Sequence, residues 1–303
     1  MLHLVADRLA VRPGYNAVPE GRDRWNNRDI GTNKNRGVQR AQSEREMRIS
    51  GNTIVITGGA TGIGLALTEA LIREGNEVIV CSRNESNLKK AAETVGGLHT
   101  RRRDLSSPEG CASLHEWVLE SFPEVNVLVN NAGIQRMIDF RRGPEDLLRH
   151  RAEDGMDEID VNLKGYIYLA AHFVPDLMKK RESAVINVSS GLGFVPMVAT
   201  PVYSATKAAV HSFSVSLRHQ LKNTSVKVFE IIPPIVDTDL DKGERKARGQ
   251  AYRGIPPAEV ARESLEALEA DIYEIPIGMA QGLKNATADN FEELFTNMNR
   301  GFR

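Results

Sequence analysis

The chain is short of cysteine, of any excess of one charge and of long apolar runs, and each shortage excludes something. Two cysteines, Cys81 and Cys111, in 303 residues exclude a disulfide scaffold and point to a reducing compartment, which we read as the cytoplasm. Thirty-nine Lys and Arg against forty Asp and Glu leave a net charge of −1, which argues against a nucleic-acid or membrane-surface partner. No run approaches the roughly 18 apolar residues that a membrane-spanning helix needs. Seven histidines are scattered without ligand spacing, so no metal site is expected. What is there, 41% hydrophobic and 26% charged residues, is the composition of an ordinary globular protein.

Residues 1–50 differ from the rest. They are rich in Arg and Asn, with little hydrophobic periodicity, and read either as a disordered extension or as sequence upstream of a natural start at Met47. They lack the apolar core of a secretory signal. From residue 51 to 303 a single domain is expected. Strand-like runs fall at 53–57, 77–82, 97–102, 126–130, 184–189, 226–232 and 272–275. Helix-like runs alternate with them at 63–74, 85–95, 108–122, within 145–180, at 202–221 and at 257–270. Several strands, such as Val226-Lys-Val-Phe-Glu-Ile-Ile232, are almost continuously apolar, which suits a parallel sheet covered on both sides. The expected fold is therefore α/β, a Rossmann-type, seven-stranded, doubly wound parallel sheet flanked by helices on both faces. The tail 279–303 predicts an amphipathic helix from Phe291, Leu294, Phe295, Met298 and Phe302.

The stretch Thr57-Gly-Gly-Ala-Thr-Gly-Ile-Gly64 sits between the first strand and the first helix. Glycines there let the backbone turn sharply and approach a pyrophosphate, which the helix N-terminus then attracts. The second strand ends in Ser82-Arg83, near the position that meets the adenosine ribose. A small polar residue leaves room for a 2′-phosphate and a guanidinium pairs with it, so NADP(H) is the expected cofactor, with NAD(H) as the other option. Asp104-Leu105 and Asn130-Asn-Ala-Gly133 follow the third and fourth strands, at the sheet edge where such folds bind ligands.

The most informative constellation is Ser190, Tyr203 and Lys207. Tyr203 and Lys207 stand four apart at the start of a helix and share one face. A free phenol titrates near 10. A neighbouring ammonium favours the phenolate, so Lys207 is expected to lower the Tyr203 pKa and make it a usable acid–base. Ser190 ends the preceding strand, and its hydroxyl is suited to hold a substrate oxygen.

Together these residues resemble the single-domain short-chain dehydrogenases/reductases. Ala132-Gly-Ile-Gln135, Ser189-Ser-Gly-Leu192, His211-Ser-Phe213, Leu217-Arg-His-Gln-Leu221 and Pro233-Pro234 are similar to the DltE-type branch. The resemblance implies an oxidoreductase that moves hydride between a nicotinamide and a small carbonyl or alcohol substrate. It implies Tyr203 as acid–base, Lys207 on the nicotinamide ribose, Ser190 on the reacting oxygen, and Asn162 holding a water of a proton relay. It further implies cofactor contacts from Thr57, Gly58, Thr61, Gly62, Ile63, Gly64, Ser82, Arg83, Asp104, Leu105, Asn131, Ala132, Gly133, Pro233, Val236 and Thr238, and a homodimer or homotetramer. The chain departs from the family where many members have Pro-Gly after the sixth strand. Pro234 removes an N–H and stiffens the route under the nicotinamide.

Two further segments bear on the substrate. Phe194, Val195, Met197 and Val198 form either a pocket wall or core. The stretch of about 239–256, with Lys242, Arg245, Lys246, Arg248 and Arg253, reads as a lid whose basic residues either attract an anion or are simply solvated. A reading from another class is a cofactor-binding sensor or scaffold on the same fold without turnover.

Overall fold

The structure is a computed structural model that describes residues 47–240 and 254–300. The expected extension thus lies almost wholly outside the described residues, and so does most of the expected lid.

Seven strands form one parallel sheet: β1 (Thr53–Thr57), β2 (Glu77–Ser82), β3 (Leu98–Arg102), β4 (Val127–Asn130), β5 (Ser183–Val188), β6 (Val226–Ile232) and β7 (Glu274–Pro276). Their spatial order is β3-β2-β1-β4-β5-β6-β7. All five residues of β1 are buried, as a central strand between two helical layers requires. Its side chains alternate. Ile54 and Ile56 join one core with α1 (Gly62–Arg73), α2 (Glu85–Thr94) and α7 (Pro257–Glu269). Val55 joins the other with α3 (Pro108–Ser121), α5 (Gly165–Leu177) and α6 (Pro201–Leu221). The expected doubly wound α/β sheet is the observed one.

Local chemistry starts the helices where they are needed. Asn84 caps α2 by accepting from Asn87 N at 3.0 Å, and Ser107 caps α3 by accepting from Gly110 N at 3.1 Å. Pro108 and Pro201 stand at the first turns of α3 and α6, where a missing N–H costs nothing. The strand order reverses between β1 and β4, so the loops after these strands diverge and leave a crevice at their carboxyl ends.

Three elements differ from expectation. The run within 145–180 is not one helix. α4 (Pro144–Asp154) ends at Gly155, which takes φ +70°, and a π-helical turn (Asp160–Lys164) then leads into α5. The tail holds two short helices, α8 (Ala280–Lys284) and α9 (Phe291–Met298), because Thr287 folds back on Asn290 through N to Oδ1 at 2.7 Å. The last strand is shorter and later than 272–275, since Asp271 takes φ +53° and turns the chain just before it.

Cys81 and Cys111 are both free and fully buried, and burial pushes each thiol up to about 12. They act as small core residues rather than reactive ones. Among the described residues no helix is long and apolar enough to cross a membrane.

Phe173 is completely buried at the centre of the α3–α5 layer. Phe173→Ala should therefore cost about 3–5 kcal/mol, read as a lowered urea midpoint. A midpoint equal to the parent's would contradict this packing.

Candidate active site

The glycine turn is laced to the loop after β4. Thr57 Oγ1 accepts from Asn131 N at 2.9 Å and from Ala132 N at 3.1 Å. Asn131 Nδ2 returns two bonds, to Thr57 O at 2.9 Å and Gly58 O at 3.2 Å. Gly58 and Gly62 take φ +65° and +54°, and a Cβ on Gly64 would lie 2.3 Å from Gly58 O. Side chains are thus excluded from the cradle. Thr61 precedes α1 in extended conformation without a side-chain cap, and the first turn has no acidic residue. Uncapped N–H groups and a positive dipole end suit an anion. The residues fit a dinucleotide.

At the next strand ends, Ser82 pairs in register with Arg102. Arg102 Nε donates to Arg83 O at 3.2 Å, and Arg103 N donates to Ser82 O at 3.1 Å. Arg102 and Arg103 therefore join Ser82 and Arg83 at one edge, a cluster visible only once β2 and β3 are paired. Asp104 holds a turn, its Oδ1 accepting from Ser106 N at 3.0 Å and Ser106 Oγ at 2.8 Å. Leu105 is buried in the core beneath it.

Ser190, Tyr203 and Lys207 converge at the end of β5, each no more than 6% exposed. The Ser190 hydroxyl accepts from Leu192 N at 3.1 Å and exerts a downward pull on the Tyr203 pKa. Lys207 Nζ lies 5.7 Å from the Tyr203 ring centre. It donates to Val188 O at 2.8 Å and to Tyr166 Oη at 3.4 Å. Asn162 is locked in the π-helical turn: Ile134 N donates to its Oδ1 at 2.8 Å, and its Nδ2 donates to Ile134 O at 2.8 Å and Thr206 Oγ1 at 3.2 Å. A Cβ on Gly133 would meet both Asn162 Oδ1, at 3.4 Å, and Lys207 Nζ, at 3.7 Å. That glycine keeps the two polar atoms near one another.

The electrostatics differ from the sequence expectation. The Tyr203 pKa is raised, not lowered: burial dominates, the Ser190 bond partly offsets it, and the Glu158 carboxylate raises it further. The Lys207 ammonium is spent on Val188 O rather than on the phenolate. Burial also lowers its own pKa to about 7, against a smaller upward pull from Glu230. At neutral pH Tyr203 is thus a protonated phenol beside a lysine poised between its two forms.

Two groups escaped sequence reading. Tyr166, fully buried, supports Lys207 and donates to Val188 O at 3.3 Å. Glu230, also fully buried, accepts from Ser189 Oγ at 2.5 Å and pairs with His211 Nδ1 at 2.8 Å. This anchors the strand end that carries Ser190. His211 stands four residues after Lys207 on α6, so Tyr203, Lys207 and His211 form one stripe.

Ile63, Pro233, Val236 and Thr238 line the pocket that Ser190 and Tyr203 enter. The Pro233 carbonyl accepts from Gly191 N at 3.0 Å, tying the Pro-Pro segment to the serine loop. A Cβ on Gly62 would lie 3.0 Å from Thr238 Cγ2, so the glycine turn and this segment nearly touch.

The chain is similar to several known proteins. The family model for short chain dehydrogenases matches residues 52–249. The oxidoreductase DltE of Bacillus subtilis (strain 168) is 46% identical over 253 residues, covering 84% of this chain and 98% of the relative. Among solved structures, a short chain dehydrogenase from Burkholderia cenocepacia J2315 in complex with NADP superposes with a TM-score of 0.69 at 26% identity, over 83% of this chain and 99% of that one. A Burkholderia phymatum protein in complex with NAD shares the fold, with a TM-score of 0.71 at 22% identity, over 82% and 96%.

The Glu230 bond is the largest influence on His211 and raises its pKa. Glu274, which pairs with Arg218 and Lys284, adds a smaller upward pull on His211, and Lys284 a downward one. A raised histidine contributes stability in full below its unfolded pKa of about 6.5 and loses it as pH climbs through the folded value. Glu230→Gln should bring the His211 titration in proton NMR back toward 6.5 and destabilise the protein more at pH 5.5 than at pH 8.5. A midpoint that does not move would contradict the pairing.

Proposed function

The chain belongs to the short-chain dehydrogenase family, and on that premise we propose that it is an NADP(H)-dependent oxidoreductase acting on a small carbonyl or alcohol. The observation that carries the proposal is the convergence of Ser190, Tyr203 and Lys207 on a pocket beside the glycine cradle. A nicotinamide bound along the crevice supplies or accepts the hydride. The cradle of Thr57, Gly58, Thr61, Gly62 and Gly64, with Asn131, Ala132 and Gly133 behind it, would hold the pyrophosphate side. Ile63, Pro233, Val236 and Thr238 would hold the nicotinamide side, and Lys207 its ribose.

The chain's own residues manage the proton. In reduction, Ser190 Oγ orients the carbonyl oxygen and Tyr203, kept protonated by burial, donates to it. The phenolate left behind would draw the Lys207 Nζ, 5.7 Å from its ring centre, away from Val188 O. In oxidation Tyr203 takes the proton from the alcohol. Asn162 beside Lys207 is suited to hold the water that reconnects the pair to solvent. Support for NADP(H) over NAD(H) comes from Ser82 and Arg83 with Arg102 alongside, and from the absence of an acidic residue at the end of β2.

The catalytic domain is proposed to run from about residue 51 to 303. Self-association through α5 and α6 into a dimer or tetramer is consistent with their outward-facing Ile167 and Val215. A cytoplasmic location remains the reading of the free, buried thiols.

Tyr203→Phe should lower kcat/KM about 10²–10⁴-fold while the NADPH dissociation constant, read by fluorescence titration, changes little. Undiminished turnover would end the assignment. Arg83→Ala should cut the preference for NADPH over NADH by about tenfold to a hundredfold, the scale of a charged hydrogen bond. Parent enzyme with equal catalytic efficiency on both cofactors would contradict the cofactor reading.

A further inference from the structure

Beyond Ser190 and Tyr203 the pocket is lined by apolar side chains from separate stretches. Leu192 and Met197 come from the loop after β5, Met279 and Leu283 from around α8, and Met298 from the end of α9. The cavity measures about 110 Å³, including the side lined by Ile63, Pro233, Val236 and Thr238 that the nicotinamide would share. Among the described residues lining it none carries a charge, and Gln135 and Thr238 are the polar members besides Ser190 and Tyr203. Among the described residues, a charged substrate group placed here would lose water and meet no counter-ion in the lining. Three methionines make a wall that adapts to a flexible chain rather than to one rigid shape.

The wall is assembled across the fold. A Cβ on Gly191 would come within 2.9 Å of Leu283 Cδ1 and 3.3 Å of Ala280 Cβ, so α8 packs directly on the serine loop. α9 has no fully buried residue. Asn299, just past its end, ties it down. Its Oδ1 accepts from Val198 N at 2.8 Å, and its Nδ2 donates to Pro196 O at 3.1 Å and to Phe295 O at 2.8 Å. One amide thus spans about a hundred residues of sequence and holds Met298 over the pocket.

We propose that this pocket takes an uncharged carbonyl compound with a flexible aliphatic chain, and that α9, latched by Asn299, is the wall that receives the chain. The proposal rests on the oxidoreductase reading above and names the substrate class for that site. It opposes the anionic option suggested by Lys242, Arg245, Lys246, Arg248 and Arg253, which lie outside the described residues.

The test has two arms on the full-length protein with NADPH. Turnover is measured for straight-chain aldehydes from butanal to octanal and for the same lengths ending in a carboxylate. Calorimetry measures binding of the matching primary alcohols and hydroxy acids, which needs no turnover. Efficiency and affinity should rise about fourfold per added methylene over at least two steps, and each carboxylate should fall at least tenfold below its neutral partner. Asn299 is a positioning residue, so Asn299→Ala should raise KM for hexanal about tenfold and affect kcat less. Carboxylates that match or exceed the neutral series, a flat length dependence, or no binding of either series would overturn the proposal. A loss confined to kcat in Asn299→Ala would overturn the latch. Neutral alcohols that bind with the expected length dependence while no aldehyde turns over would uphold the pocket and sink the reductase reading.

Discussion

Lys207 is an ammonium group buried at the carboxyl end of β5, held by one backbone carbonyl and one phenol. Taking a lysine out of water is costly, and the protein meets the cost by letting the pKa fall and by surrounding the group with acceptors. Much of the nearby structure follows from that constraint. Tyr166 donates to the same Val188 carbonyl, and Glu230 contributes a buried negative charge whose own partners are Ser189 and His211. The burial that lowers Lys207 also raises Tyr203. Two groups that would ordinarily titrate close together are driven apart, which leaves a protonated donor next to a cation of adjustable charge.

The sheet supplies the rest. Parallel strands deliver the glycine turn, the Asn131–Gly133 loop, Ser190 and the Pro-Pro segment to one edge, because every strand ends on the same side. Hydrogen bonds then run across those loops rather than within them. Thr57 and Asn131 bind β1's turn to β4's, and Gly191 binds β5's loop to β6's. The cradle and the proton donor are therefore parts of one hydrogen-bonded rim. In the further proposal, Asn299 extends that rim to the C-terminal helix.

The sheet was legible in the sequence because buried parallel strands are nearly continuous apolar runs. Ser190, Tyr203 and Lys207 were legible because a strand end and a four-residue helical spacing bring them together without help from distant parts. Electrostatics were not: the sense of the Tyr203 shift depends on how deeply α6 is buried, and spacing carries no burial. Glu230 read as one residue in an apolar strand, since its partner His211 is supplied by another element. The break at Gly155 was hidden by continuous helical composition on both sides. Arg102 joined the cofactor edge only through the register of β2 with β3, and Asn299 found its partners about a hundred residues away.

The most direct test of the central claim is the titration of Lys207 itself, by NMR of the protein carrying ¹³C-methylated lysines, assigned with Lys207→Arg. The expected midpoint is near the value of about 7 that burial imposes. A midpoint close to the ordinary lysine value of about 10.4 would contradict it, because the Glu230 charge and the hydrogen bonds would then outweigh burial.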